Sequence, residues 1–352
     1  MVNLHEMTLP RVVVIGEKLE HVVVDRLSSL STGRYGIFML TSPTPYSLLG
    51  RYVESGVSGK VDVEVAMIRD QPKDDTLEQF GKRAAGTGVK AVVGIGGGRV
   101  LDVAKAVAEI SGKPFISIPT VASHDGIASP MTSVRKGGRA YSRKAVMPTE
   151  IIADMAIISK APRRYILSGC GDLVAKYSAV RDWWLGYREK GEYYGRYAAH
   201  LAYLSSIITM RSAQLIGRGS MEGTRTVVEA LISAGVAMGI AGSSRPCSGS
   251  EHLIAHALEY MMDNPPLHGE RCGVATVFTS YLHGANWRRV RDALKTMGAP
   301  SSLKELNIDE ELFAEAVIKA PSLRTERYTI LHKLQLEKNR IKKIIDEIGL
   351  TF

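Results

Sequence analysis

Apolar residues in the first 160 positions come in short runs closed by turn residues. RVVVIG at Arg11–Gly16, RYGIFMLT at Arg34–Thr41, the valine-rich Val61–Ile68, Ala91–Ile95 and Phe115–Pro119 all have the length of strands, and most lack strict alternation. Such runs fit strands covered on both faces of a parallel sheet. Asp75–Gly86 and Arg99–Ser111 have helical spacing instead. From Pro162 onward the texture changes. Gly169–Glu189, Tyr193–Ile216, Met221–Met238, Ser250–Met262 and Gly269–Leu282 all carry a period near 3.6, which predicts helices throughout. The SKAPRR segment at Ser159–Arg164 divides the two textures. The pattern therefore predicts an α/β domain with a Rossmann-like parallel sheet over residues 1–160 and an all-helical domain over 161–352. A ligand cleft is expected between two such domains.

Composition narrows the partners. The 352 residues suffice for two ordinary cores. The formal charge of +9 favours anionic partners, but it is spread along the chain. Its densest run, Lys333–Lys343, lies in a helical pattern and reads as a solvated face. No aromatic and basic platform for stacking bases is visible, so no nucleic-acid partner is expected. Cys170, Cys247 and Cys272 are few and widely spaced, which fits a reducing cytoplasm better than a disulfide scaffold. Met1–Pro10 has no apolar core, and no continuous apolar run reaches the roughly 18 residues of a membrane span. The expected protein is cytoplasmic, acts on a small molecule and, from its long apolar helices, is a homo-oligomer.

Two features carry chemistry. VVGIGGGRVLDVA at Val92–Ala104 runs from a buried strand through three glycines into a helix. Glycine lets the backbone approach a bulky anion, and the helix start offers free N–H groups. The spacing departs from GxGxxG, because Arg99 stands where the third glycine would; the motif is GGGxxxD ending at Asp102. Thr41 and Ser42, not an acid, end the second strand, which leaves room for NADP as well as NAD. The second feature is Asp172 with His252, His256 and His268. An aspartate and two histidines are a common catalytic set for zinc and leave a position open for substrate. The 16-residue gap between His252 and His268 allows a helix end, a proline turn and a second helix start. His256, four residues after His252 on the same face, is open to three roles: ligand, support for a ligand, or substrate contact.

GIGGGRVLDVAK, SIPTVASHDGIASP, ISKAPRRYILSGCGDLVAKY, SGSEHLIAHALE and LHGERCGVA together carry a likeness. On them the chain resembles the superfamily of glycerol dehydrogenases, iron-type alcohol dehydrogenases and dehydroquinate synthases, and within it the archaeal glycerol-1-phosphate dehydrogenases. The resemblance implies cofactor contacts at Gly98, Arg99, Val100, Leu101, Asp102, Thr120, Val121, Ala122, Ser123 and Ser129. It implies one zinc ion per subunit on Asp172, His252 and His268, and substrate contacts at Asp125, Asp172 and His256, which are then the catalytic residues. An iron-type site has a histidine four residues after the aspartate; here that position is Lys176, which favours zinc and turns His256 toward the substrate. The implied reaction is reduction of dihydroxyacetone phosphate by NADPH or NADH to sn-glycerol 1-phosphate, the backbone of archaeal ether phospholipids.

A phosphorylated substrate needs cationic or N–H donors. VRKGGRAYSRK at Val134–Lys144 has five basic residues around a Gly-Gly turn, so a hairpin with Arg139 and Arg143 as a phosphate clamp is expected, beside the plainer reading of an exposed basic hairpin. Two alternatives remain at this stage. A glycerol dehydrogenase acting on unphosphorylated polyols would use the same zinc set. A basic protein binding nucleic acid or a membrane surface on a vestigial enzyme fold would need no metal and would bind with a steep salt dependence.

Overall fold

A computed structural model of the chain describes residues 5–30, 36–70, 74–86, 88–136 and 139–351. Arg34 and Tyr35 of the expected second strand, the Gly137–Gly138 turn of the expected hairpin and the first four residues lie outside them. The chain divides into two compact units. One runs from Met7 to Ala122 and from Gly126 to Pro162; the other holds the chain from Arg163 onward together with Ser123–Asp125 and a short N-terminal piece.

The first unit is built on a parallel sheet of six strands. These are β1 (Val12–Gly16), β2 (Gly36–Thr41), β3 (Val63–Met67), β4 (Val89–Gly96), β5 (Phe115–Pro119) and β8 (Glu150–Asp154), in the order β1-β8-β5-β4-β2-β3. β2 and β5 are buried along their whole length, whereas the edge strands β1 and β3 are partly exposed. Continuous apolar runs mark the covered strands for that reason. β8 was not among the expected strands; its TEIIADMAII context is apolar and sits just before the change of texture. The helices at Glu20–Ser29 and Arg51–Val57 were likewise not expected. β6 (Met131–Lys136) and β7 (Arg139–Lys144) form the expected antiparallel hairpin. In the sheet, β3 lies beyond β2 on one side while β4, β5 and β8 continue on the other, so the order reverses between β2 and β4. In open α/β sheets ligands bind at the carboxyl ends of strands at such a reversal. The glycine loop follows β4 at that end, and the Thr41 hydroxyl ties β2 to it by donating to the Ile95 carbonyl at 2.9 Å.

The second unit is helical among its described residues. Three helices position the site: Arg163–Lys190, Ser250–Met261 and His268–Leu282. Three expectations need correction here. The helix expected from Gly169, with Asp172 in its first turn, begins instead at Arg163, directly after Pro162, and passes through Gly169 and Gly171, which normally discourage helix. The expected helix Tyr193–Ile216 is two, Arg196–Arg211 and Ala213–Gly217. The basic run Lys333–Lys343 is not one helix either: Gln335 takes a left-handed φ of 43° and separates Ile330–Leu334 from Lys338–Ile348. Met221–Ala241 is long and apolar enough by length and composition to cross a membrane, but 67% of its apolar window is buried inside the protein, as in a core helix.

Candidate metal centre

The site begins with a close helix crossing. A Cβ on Gly171 would lie 2.1 Å from the Gly269 carbonyl oxygen, and a Cβ on Gly269 would lie 1.7 Å from that of Ser168. No side chain fits at either position, so the helix of Asp172 and the helix of His268 touch backbone to backbone. This contact explains why SGCGD stays helical despite its glycines: packing overrides propensity. Asp172 and His268 are thereby brought to one place. The turn Asp263–Leu267 returns the chain so that the helix Ser250–Met261 adds His252 and His256.

The three imidazoles form a cluster, with ring centroids 5.0 Å apart for His252 and His268, 5.7 Å for His256 and His268, and 6.4 Å for His252 and His256. Asp172 is buried, and its Oδ1 lies 3.4 Å from His252 Nε2. The expected metal ligands Asp172, His252 and His268 are therefore drawn together, with His256 as their partly exposed neighbour. Asp125 joins them: its backbone N–H donates to Asp172 Oδ2 at 2.8 Å. The set of one carboxylate and two imidazoles has the donor chemistry of a catalytic zinc site.

Four further residues complete the centre. Lys176 is fully buried, and its ammonium lies 2.7 Å from both Asp172 and Asp125. Sequence reasoning used Lys176 only to disfavour iron; its spacing of four from Asp172 was the signal that both face the same side. Cys272 Sγ lies 3.5 Å from His268 Nε2, and its sulfur falls within 4.8 Å of the His252 and His268 nitrogens. The His124 ring packs edge-on 6.4 Å from that of His268. Glu251, fully buried, has Oε1 2.8 Å from His252 Nδ1.

The electrostatics follow from this packing. Burial alone would neutralise Asp172, but Lys176, then His252 and His268, outweigh it and hold the carboxyl well below the usual carboxylate range. Burial likewise opposes the Lys176 ammonium, and Asp125 and Asp172 reverse this and hold it well above lysine's ordinary value. Burial pushes His256 down, and burial with the nearby charge of His252 pushes His268 down further. Both rings are thus neutral, the form that ligates metal or accepts a proton. Burial raises the Cys272 thiol above its ordinary value.

The residues expected at the cofactor lie around the glycine loop. Gly97 caps the helix that starts at Gly98, and no acid or side-chain cap occupies its first turn. The Thr120 N–H donates to the Gly96 carbonyl at 3.0 Å, which fixes the loop after β5 beside the glycine loop. Val100, Leu101 and Ala122 are buried in the core, and the Leu101 N–H donates to the Gly97 carbonyl at 3.1 Å. Asp102 faces inward, with Oδ1 3.0 Å from buried Lys105 and Oδ2 accepting from the Ser133 N–H at 3.3 Å. The Ser129 hydroxyl donates to the Met131 carbonyl at 3.4 Å. Ser123 belongs to the helical unit, where its carbonyl accepts from the Ser168 hydroxyl at 3.1 Å. In the hairpin, Arg143 pairs with Glu109 at 2.5 Å.

Comparison with known proteins agrees with this architecture. A family profile described as iron-containing alcohol dehydrogenase matches residues 15–162. The solved glycerol dehydrogenase of Schizosaccharomyces pombe superimposes with a TM-score of 0.80 at 18% identity, covering 98% of this chain and 90% of that one, a likeness of fold. Closer in sequence is the glycerol-1-phosphate dehydrogenase [NAD(P)+] of Thermococcus kodakarensis, 44% identical over 99% of both chains. That of Cenarchaeum symbiosum is 45% identical over 99% of this chain and 97% of its own. Matched over nearly its whole length at this identity, the chain belongs to the glycerol-1-phosphate dehydrogenase family.

Proposed function

We propose that this chain reduces dihydroxyacetone phosphate to sn-glycerol 1-phosphate with NADPH or NADH, as a zinc enzyme of ether phospholipid synthesis. The observation that carries the reading is the meeting of Asp172, His252 and His268 beside buried Lys176, whose ammonium pairs with Asp172 and with partly exposed Asp125. The names of the full-length relatives support the reaction and the nucleotide. Cytoplasmic location fits three buried, unpaired cysteines, and homo-oligomeric assembly is part of the same reading.

Asp172, His252 and His268 would hold zinc, which when bound supplies Lewis acidity that polarises a carbonyl. Gly98–Asp102, with Thr120–Ser123 and Ser129, would hold the dinucleotide, whose nicotinamide when bound supplies the hydride. The chain's own part is positional and electrostatic. Lys176 pairs with both Asp172 and Asp125 at 2.7 Å, so Asp125 offers a fixed acceptor for a substrate hydroxyl. A proton reaches the reduced oxygen through water, a ribose hydroxyl or His256, whose neutral, partly exposed ring can relay one by taking a proton from solvent on one nitrogen as it gives one from the other.

The test is an assay with dihydroxyacetone phosphate and each nucleotide, with and without a chelator, followed by chiral analysis of the product. Chelator-sensitive formation of glycerol 1-phosphate is expected. Glycerol 3-phosphate as product, or activity untouched by the chelator, would reject the proposal.

A further inference from the structure

We propose that Glu251 is a positioning residue that fixes which nitrogen His252 presents to the metal; this rests on the zinc reading above. Glu251 is completely buried, where an anion is tolerated only if its oxygens are satisfied. They are. Oε1 accepts the Gly249 N–H at 2.7 Å, and Oε2 accepts the Ser178 hydroxyl at 2.7 Å. The Ser178 oxygen in turn accepts the Thr279 hydroxyl at 3.0 Å, so the relay reaches into the helix that begins at His268. Both carboxyl oxygens are already acceptors, for the Gly249 N–H and the Ser178 hydroxyl, so the 2.8 Å contact with His252 Nδ1 is a bond donated by the ring. That bond keeps a proton on Nδ1, so the nitrogen free to give up its proton and take metal is Nε2, 3.4 Å from Asp172 Oδ1. A carboxylate behind a metal-binding imidazole fixes the ring's tautomer and orientation and makes it a stronger ligand.

Adjacent helix residues do not normally face each other. The arrangement is possible because Glu251 lies in the first turn of its helix, where its carboxylate folds back onto the N–H of Gly249 just before the helix. A plainer role, closing that first turn, would account for the Gly249 bond but not for the Nδ1 contact or the Ser178–Thr279 relay. The two roles differ in what a neutral isostere does.

Glu251→Gln keeps the shape and an acceptor oxygen but removes the charge. Competition with a chromophoric chelator should show zinc held about 10-fold or more weakly than in the parent protein, the range expected for such a support residue. The melting temperature of the metal-stripped protein should stay close to the parent's, and excess zinc should restore kcat. Ser178→Ala should weaken zinc binding in the same direction by a smaller factor. A folded Glu251→Gln protein with the parent's zinc affinity would overturn the proposal while leaving the zinc reading intact. A parent protein that binds no zinc would overturn the zinc reading itself. Should Glu251→Gln fail to fold, Ser178→Ala and nitrogen NMR of the zinc-loaded parent decide. Zinc on Nε2 with weakened binding in Ser178→Ala supports the proposal, and zinc on Nδ1 or unchanged binding overturns it.

Discussion

The glycine loop and the histidine cluster both depend on glycine, and the comparison shows two ways of building a site. At Gly97 an added Cβ would meet only the Val121 side chain at 3.3 Å, and the backbone there is extended. The position is open toward whatever approaches it. At Gly269 an added Cβ would fall 1.7 Å from a backbone oxygen. There the space is already filled by the neighbouring helix. The loop is a local device made by consecutive residues. The cluster is a tertiary device, made by three helices and a short segment around Asp125, and it carries buried charge that must be balanced.

That difference is sharpest at Lys176. Lys176→Met should leave Asp172 buried without its cation, a change worth about 3–5 kcal/mol. Urea unfolding of metal-stripped protein would measure it. The ammonium is held above lysine's ordinary value, so its contribution is complete below about pH 10.4 and is lost as pH rises through the higher folded value. The gap between parent and variant should therefore be constant across neutral pH and close only in strong alkali. Equal stability of the two proteins at pH 7 would break the account of Lys176.

Next in size is Gly269→Ala, which forces two helices apart and should cost about 3 kcal/mol, the upper end of ordinary overpacking. Gly97→Ala should change stability by less than about 1 kcal/mol. Its effect should fall on the nucleotide, seen as a raised KM for NADPH or NADH at unchanged melting temperature, because the backbone can no longer approach the pyrophosphate closely. If Gly97→Ala unfolds the protein and Gly269→Ala does not, the contrast between the two regions is wrong.

The same contrast explains what could be read beforehand. Strands β2, β4 and β5 were visible because burial on both faces leaves continuous apolar runs, as in Ala91–Ile95, and the partly exposed edge strands β1 and β3 because their short runs are rich in valine. The glycine loop was visible because its residues are contiguous. In the helical unit the helices themselves were legible from their period, but their boundaries were not. The period put a helix start at Gly169, whereas the helix runs unbroken from Arg163 through Gly169 and Gly171, held by the contact with Gly269. Asp172, His252, His256 and His268 were legible as donor types, and the family resemblance gave each its role, since nothing in the periodicity brings positions 172 and 268 together. Lys176 and Glu251 were missed as parts of the centre. A buried lysine and a buried glutamate look like surface residues until their partners are known.

The central claim is that Asp172, with His252 and His268, holds one zinc ion in each chain. Metal analysis of the purified parent, Asp172→Asn and Cys272→Ser proteins tests it most directly. The account predicts about one zinc per chain in the parent and in Cys272→Ser, and almost none in Asp172→Asn. Zinc retained by Asp172→Asn and lost from Cys272→Ser would contradict it and move the site to the His252, His268 and Cys272 group.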